Sequence, residues 1–250
     1  MEQDLTTGSV FKRIVYFSLP YLLSYFLQTL YGMADLFITG QFYGVDTITA
    51  VSNGSQIMHM MTVIIVGLAM GTTVTIGHSV GAKCMEQAEK IIGNTITLFM
   101  GIAVAFTAIL VVLVKPIVVL IAAPQEAVAG TSIYLLICFI GIPFITAYNI
   151  ISSIFRGLGD SKSPMYFIGI ACVMNIALDY LFMGAFHMGA AGAALGTVCA
   201  QTFSVLVALW VIRRRKTGIS LKKSDFKIER AVIGQVLKIG IPVALQDGFI

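Results

Sequence analysis

Two aspartates interrupt otherwise apolar stretches of the sequence and are the residues best placed to do chemistry. Asp35 is the one charged residue between Ile14 and Gly40, and Asp179 lies in the run VMNIALDYLF. A carboxylate inside a membrane-spanning helix costs about 2.5–3.5 kcal/mol on insertion scales, so such residues are rare and typical of proton or ion handling. Asn175 lies four residues before Asp179 and therefore shares its helix face.

The composition predicts a membrane protein. The chain is 58% hydrophobic and 11% charged, whereas globular domains are about 25% charged. His59, His78 and His187 are far apart and form no metal-ligand spacing. The sequence has no phosphate-binding glycine loop and no nucleophile–base pattern, so we expect no cofactor and no enzymatic activity.

The apolar segments predict an all-α membrane protein with a bundle of six transmembrane helices. A hydrocarbon core about 30 Å thick needs about 20 apolar residues in a helix. Six segments meet this length: about 14–40, 51–76, 91–114, 131–155, 164–186 and 190–212. We therefore predict a six-helix lobe over residues 1–212, followed by a basic linker over 213–230.

The last residues, 231–250, predict the start of a second repeat. The run VLKIGIPVAL, with Lys238 before Pro242, is similar to RIVYFSLPYLL, with Arg13 before Pro20. This run predicts a seventh helix that is truncated, because the 12 residues from 239 to 250 are too few to span a membrane. The chain is thus expected to be the first half of a larger protein with parallel internal repeats.

The basic residues predict the orientation. With the N-terminus inside, every Lys and Arg except Lys115 lies on the inner side of the six predicted spans. The positive-inside rule therefore predicts a cytoplasmic N-terminus. The basic segment 213–230 is expected to lie near anionic lipid headgroups rather than to bind nucleic acid.

Helix geometry places the polar residues at one depth. Asp35 and Asp179 follow Pro20 and Pro164 by equal distances, and 15 residues of helix rise by about 22 Å, into the outer half of the bilayer. The residues expected at this level are Asp35, Tyr134, Asn175, Asp179 and Thr197. They predict a shared, water-accessible polar cavity. If the two carboxyls are neighbours there, repulsion and desolvation raise a pKa, so that one of them can hold a proton at neutral pH. The alternative is that each acid only satisfies a polar patch between helices.

Pro20 is expected to be a hinge. Proline removes a backbone hydrogen bond and kinks a helix. A kinked helix that also carries a buried acid is typical of a moving part in a protein that handles ions.

Three motifs resemble the MATE family of multidrug and toxic compound extrusion transporters, in its prokaryotic DinF-like branch. They are FLQTLYGMADLFITG, IFRGLGDSKSPM and NIALDYLFMGAFHMGAAGAALGTVCAQ, and the likeness extends over residues 8 to 250. The resemblance implies twelve helices in two lobes, of which this chain is the N-terminal lobe with a truncated seventh helix. It also implies a bacterial or archaeal cell (inner) membrane and a C-terminal lobe as the missing partner required for transport.

The resemblance further implies export of cationic, amphipathic drugs in exchange for protons or sodium ions. Its ion site maps onto Asp35, Asn175 and Asp179, where Na⁺ would also bind, with Tyr134 and Thr197 in support. Pro20 matches a family proline at which the first helix bends. The residues expected to line the substrate cavity are Gln28, Tyr31 and Asn149. Ser152 stands where the branch often has an asparagine.

Two other functions fit parts of the sequence. Gly157 to Asp160 reads GxGD, a motif of intramembrane aspartyl proteases, but Asp160 would lie about 20 Å below Asp179 by helix rise. A lipid-linked saccharide flippase is the second alternative. Such cavities need basic residues for pyrophosphate, and the six predicted spans contain no Lys or Arg.

Overall fold

The computed structural model describes residues 9–214 and 221–248, which form helices joined by turns, without strands. The predicted all-α architecture is confirmed. The seven helices are α1 (Val10–Phe42), α2 (Val45–Gly81), α3 (Met85–Leu120), α4 (Gln125–Gly157), α5 (Lys162–Asp179), α6 (Gly189–Arg214) and α7 (Arg230–Gly248). A π-helical segment, Tyr180–Ala185, continues α5.

Five helices are long and apolar enough to cross a membrane: α2, α3, α4, α6, and α5 with its π-helical extension. The sequence prediction counted α1 as a sixth span. This helix has the required length but lies below the hydropathy of the other five, because serine, tyrosine, glutamine and aspartate residues occupy part of its surface. It continues without a break through Pro20, whose carbonyl accepts a hydrogen bond from Ser24 Oγ at 2.8 Å. A bend at Pro20 remains a prediction.

The helix α4 is central to the bundle. It packs against α2, α3 and α6, while α5 packs against α1 and α6. Eighteen of its 33 residues are buried, more than in any other described helix. Short connections join the successive helices from α1 to α6, so neighbours among these six run antiparallel.

The helix α7 packs against α2 through glycines. A Cβ at Gly67 would collide with the backbone of Ala244, and a Cβ at Gly71 or Gly240 would collide with the facing backbone. Small residues are the usual means by which membrane helices approach closely. This contact holds the start of the predicted second repeat against the six-helix lobe.

Part of the predicted linker is anchored on α3. Asn94 Nδ2 donates to Asp225 O at 3.1 Å, and Asn94 Oδ1 accepts from Glu229 N at 2.6 Å. Thr97 Oγ1 donates to Phe226 O at 3.0 Å. Residues 1–8, 215–220 and 249–250 lie outside the described residues, and the division into domains at 212 and 230 remains a prediction.

Candidate functional site

The carboxyl groups of Asp35 and Asp179 meet in the interior of the bundle. Asp35 on α1 is 3% exposed and Asp179 on α5 is 0% exposed. The Asp179 carboxyl and the Asn175 side chain, one turn before it, both lie close enough to the Asp35 carboxyl to interact with it. The structure thus brings together two acids that are separated by most of the length of the lobe.

Few donors reach this carboxyl pair. Thr197 Oγ1 on α6 donates to Asp35 Oδ2 at 3.2 Å. Asp35 Oδ1, both oxygens of Asp179 and both amide atoms of Asn175 make no hydrogen bond of standard geometry with any part of the chain that the structure describes. An ionised carboxylate is acceptor-only, so two adjacent carboxyls become a favourable pair when a proton or a cation lies between them.

The oxygen atoms of this cluster suit a proton or a hard cation. Two carboxyls, an amide carbonyl and a hydroxyl supply oxygen ligands from α1, α5 and α6. Hard cations prefer such oxygen donors. Among the described residues, no group of three or more His, Cys, Asp and Glu side chains forms a transition-metal site.

The helix backbone becomes irregular directly after Asp179. The π-helical segment begins at the next residue, Tyr180, and such segments occur frequently at functional sites. Helix α6 passes directly beside the carboxyl at Gly196, where a Cβ would overlap Asp179 Oδ1. Gly196 therefore gives Asp179 the space it occupies.

The π-helical segment is also tied to α1. Tyr43 OH donates to Met183 O at 3.1 Å and accepts from Gly189 N at 2.9 Å. Thr39 Oγ1 approaches the Met183 sulfur at 3.5 Å. A shift of α1 would thus be transmitted to the segment that follows Asp179.

A cavity of about 630 Å³ lies beside the carboxyl pair. Asp35, Tyr134 and Thr197 line it, whereas Asn175 and Asp179 lie outside the lining and contact Asp35 from α5. Asp35 is therefore the residue that belongs both to the cavity and to the buried pair. Gln28, Tyr31 and Asn149 also line this cavity, and their contact with a substrate stays a prediction.

The cavity wall is aromatic, sulfur-rich and polar. Tyr25, Tyr31, Tyr134 and Tyr148 line it together with Met33, Met58 and Met60. Tyrosine ring faces attract cations, and flexible methionines adapt to ligands of different shape. Such a wall suits amphipathic cations.

Tyr134 is fixed by α2. Its hydroxyl lies 3.0 Å from Ser55 Oγ, and its ring lies against Gly54, where a Cβ would overlap the ring atoms. Tyr134 is 2% exposed and belongs to the cavity wall rather than to the carboxyl cluster. Its predicted role at the ion site remains a prediction.

Sequence reasoning did not name Gln201 or His59 as cavity residues. Gln201 lies four residues after Thr197 and lines the cavity, so its position on the same helix face was the available signal. His59 lines the opposite wall on α2. Gly192 and Gly196 form a small-xxx-small pattern that predicts close helix packing, but the pattern does not indicate that Asp179 is the residue packed against Gly196.

The GxGD motif forms a tight turn between α4 and α5. Asp160 Oδ1 accepts from Lys162 N at 3.1 Å and from Ser163 N at 3.0 Å, and Oδ2 accepts from Ser163 Oγ at 2.6 Å. Gly159 adopts a positive φ of 88°, which favours glycine at this position. Asp160 therefore stabilises the turn that starts α5.

A buried acidic pair beside a polar cavity, in a bundle of long apolar helices, is typical of multi-pass membrane transporters. The MatE family profile matches residues 20–181, and the chain belongs to this family.

Named relatives agree with this assignment. The chain is 34% identical over 244 residues to the "Probable multidrug resistance protein YpnP" of Bacillus subtilis, a match that covers 97% of this chain and 54% of the relative. It is 26% identical over 240 residues to the "Multidrug export protein MepA" of Staphylococcus aureus, with 95% and 53% covered. The chain thus spans about half the length of the curated relatives it matches.

The fold agrees as well. A solved structure of a "MOP superfamily transporter" from Pyrococcus furiosus superposes with a TM-score of 0.90 at 26% identity, over 98% of this chain and 54% of that one. Both the family and the N-terminal-lobe architecture expected from the sequence are confirmed.

Proposed function

We propose that this chain forms the ion-coupling half of an antiporter that exports cationic, amphipathic compounds in exchange for protons or sodium ions. The observation that carries the proposal is the double position of Asp35, which lines the cavity and also contacts the buried Asp179. One carboxyl can therefore respond both to a substrate in the cavity and to an ion in the cluster.

Coupling follows if the two ligands exclude each other. A cationic substrate in the cavity favours a negative Asp35, whereas a proton or Na⁺ at the Asp35–Asp179 pair neutralises it. Because each ligand weakens the other by the same factor, a gradient of one can drive movement of the other. Thr197 donates a hydrogen bond to Asp35 and so supports the carboxyl for which the substrate and the ion compete.

The cavity wall supports a cationic substrate over a lipid-linked pyrophosphate. Within the described residues, the wall contains no Lys or Arg, and its acid is Asp35. A pyrophosphate group would need basic partners there. The flippase alternative therefore lacks the side chains that its substrate requires.

The proposal includes the setting of the chain. The N-terminus lies in the cytoplasm, the protein resides in a bacterial or archaeal cell (inner) membrane, and a second lobe covers the open side of the cavity. The matched relatives are about twice as long, which supports the need for a second lobe.

The test is drug efflux from cells that express the complete gene product. Asp35→Asn and Asp179→Asn should each abolish energised efflux of a cationic dye, in sodium-free or in sodium-containing buffer. Asp46→Asn, the same change at an exposed acid in the first turn of α2, is the matched control and should keep efflux. Unchanged efflux in Asp35→Asn would refute the proposed function.

A further inference from the structure

A second contact between α1 and α6 lies one helical turn from the carboxyl cluster. Tyr31 precedes Asp35 by four residues, and Gln201 follows Thr197 by four. The two helices run antiparallel at this point, so these positions fall at the same level. The side chains of Gln28 and Gln201 lie near the Tyr31 hydroxyl there. The cavity therefore has an acidic tier at Asp35 and an amide tier at Gln201.

The amide tier contains an unused acceptor. Gln201 lines the cavity and is 5% exposed. Its Oε1 atom is buried and accepts no hydrogen bond from the residues that the structure describes. Buried carbonyl oxygens in folded proteins are nearly always paired with a donor. Gln201 thus brings an acceptor oxygen with unused hydrogen-bonding capacity to the wall of the cavity.

Tyrosine rings surround the same tier. Tyr31 and Tyr148 line the cavity together with Gln201 and belong to one packed apolar cluster with Leu27 and Val205. Their ring faces attract any organic cation, whether or not it carries an N–H group. Charge and aromatic contacts alone would not distinguish a protonated amine from a quaternary ammonium ion.

We propose that Gln201 Oε1 accepts a hydrogen bond from the ammonium N–H of the substrate, so that the cavity favours protonated amines over quaternary ammonium ions of the same shape. A quaternary ion satisfies Asp35 and the tyrosines but leaves Oε1 desolvated and unpaired. A hydrogen bond to a charged donor corresponds to a preference of about tenfold or more. This inference rests on the proposed function, because it assumes that the cavity binds cationic substrates.

The experiment compares verapamil, a tertiary amine, with its N-methyl quaternary salt, by equilibrium binding to the purified complete gene product. The wild-type protein should bind the protonated amine about tenfold more tightly. Gln201→Met, which keeps the length of the side chain and removes the acceptor, should weaken verapamil binding and bring the ratio close to one. Gln201→Glu, which keeps an acceptor oxygen, should retain the preference. Thr202→Val, a change at a neighbouring α6 residue whose hydroxyl bonds its own helix, is the control.

The outcomes separate the two proposals. Asp35→Asn should weaken the binding of both compounds, and if it weakens neither, the proposed function fails. If Asp35→Asn weakens both while Gln201→Met leaves the ratio unchanged, the proposed function stands and the role of Gln201 is wrong. Equal affinity of the wild-type protein for the two compounds also overturns the inference, even where a variant fails to fold.

Discussion

The hydrogen bond from Thr197 to Asp35 is the contact that a single substitution removes most cleanly. Thr197→Val keeps the shape of the side chain and deletes the hydroxyl that donates to Asp35 Oδ2 at 3.2 Å. A hydrogen bond to a charged group contributes about 1.5–3 kcal/mol, and about 1.4 kcal/mol is a factor of ten. The bond is long and Thr197 is half-buried, which favours the lower end of that range. We therefore expect coupled transport to fall about tenfold.

The assay is the initial rate of cationic-dye movement into vesicles that hold the complete gene product, driven by an imposed pH or sodium gradient. Thr202→Val is the matched control, because the Thr202 hydroxyl donates to Val198 O of its own helix at 2.8 Å. Thr197→Ser restores the donor and should recover most of the rate. If Thr197→Val transports as well as Thr202→Val, the hydrogen bond to Asp35 has no part in coupling and the reasoning fails.

Two further predictions concern contacts elsewhere in the lobe. Gly196→Ala should displace the Asp179 carboxyl and abolish coupled efflux at normal expression. Gly101→Ala is the control and should keep efflux, because a Cβ at Gly101 meets open space. Equal efflux in the two variants would show that Gly196 does not hold the carboxyl in place. Asn94→Ala should loosen residues 221–229 on α3, because it removes the two Asn94 bonds to that segment and leaves the bond from Thr97. Limited trypsin digestion should then cleave after its lysines faster than in the wild-type protein, and an unchanged cleavage rate would contradict the anchoring role.

That the two acids lie at a similar height along the helix axes was predictable from the sequence, because this height depends only on the rise per residue of each helix. Asp35 and Asp179 follow a proline by the same distance on helices that run in the same direction, and the structure brings their carboxyls into contact. Thr197 was predictable for the same reason, since it enters early on a helix that runs the opposite way. Such arguments need only the length of each span and its direction.

The small-residue pattern of Gly192 and Gly196 predicts a close helix approach, but which residue that approach brings into contact was not predictable. The approach of α6 to Asp179 depends on the missing Cβ of Gly196, and many glycines in the sequence have no such role. The π-helical segment after Asp179 adds a backbone irregularity that composition does not indicate. The amide of Gln201 likewise gains significance only from its buried, unpaired oxygen.

The hydropathy of α1 shows why a functional helix gives a weak membrane signal. Its polar residues face the cavity and the neighbouring helices, so Ser24 and Asp35 are buried while Leu19, Leu22 and Phe26 are exposed. A helix that contributes a polar face to a cavity loses mean hydropathy without losing its outward apolar face. Helix length and position in the bundle then define the element better than hydropathy does.

The central claim is that substrate and coupling ion compete for the Asp35–Asp179 pair. The most direct test is to add a cationic substrate to the purified complete gene product in weakly buffered solution and to measure the protons released, or the labelled sodium displaced. We predict that substrate binding releases one of these cations from the wild-type protein and releases none from Asp35→Asn. Tight substrate binding to the wild-type protein with release of neither cation would contradict the competition.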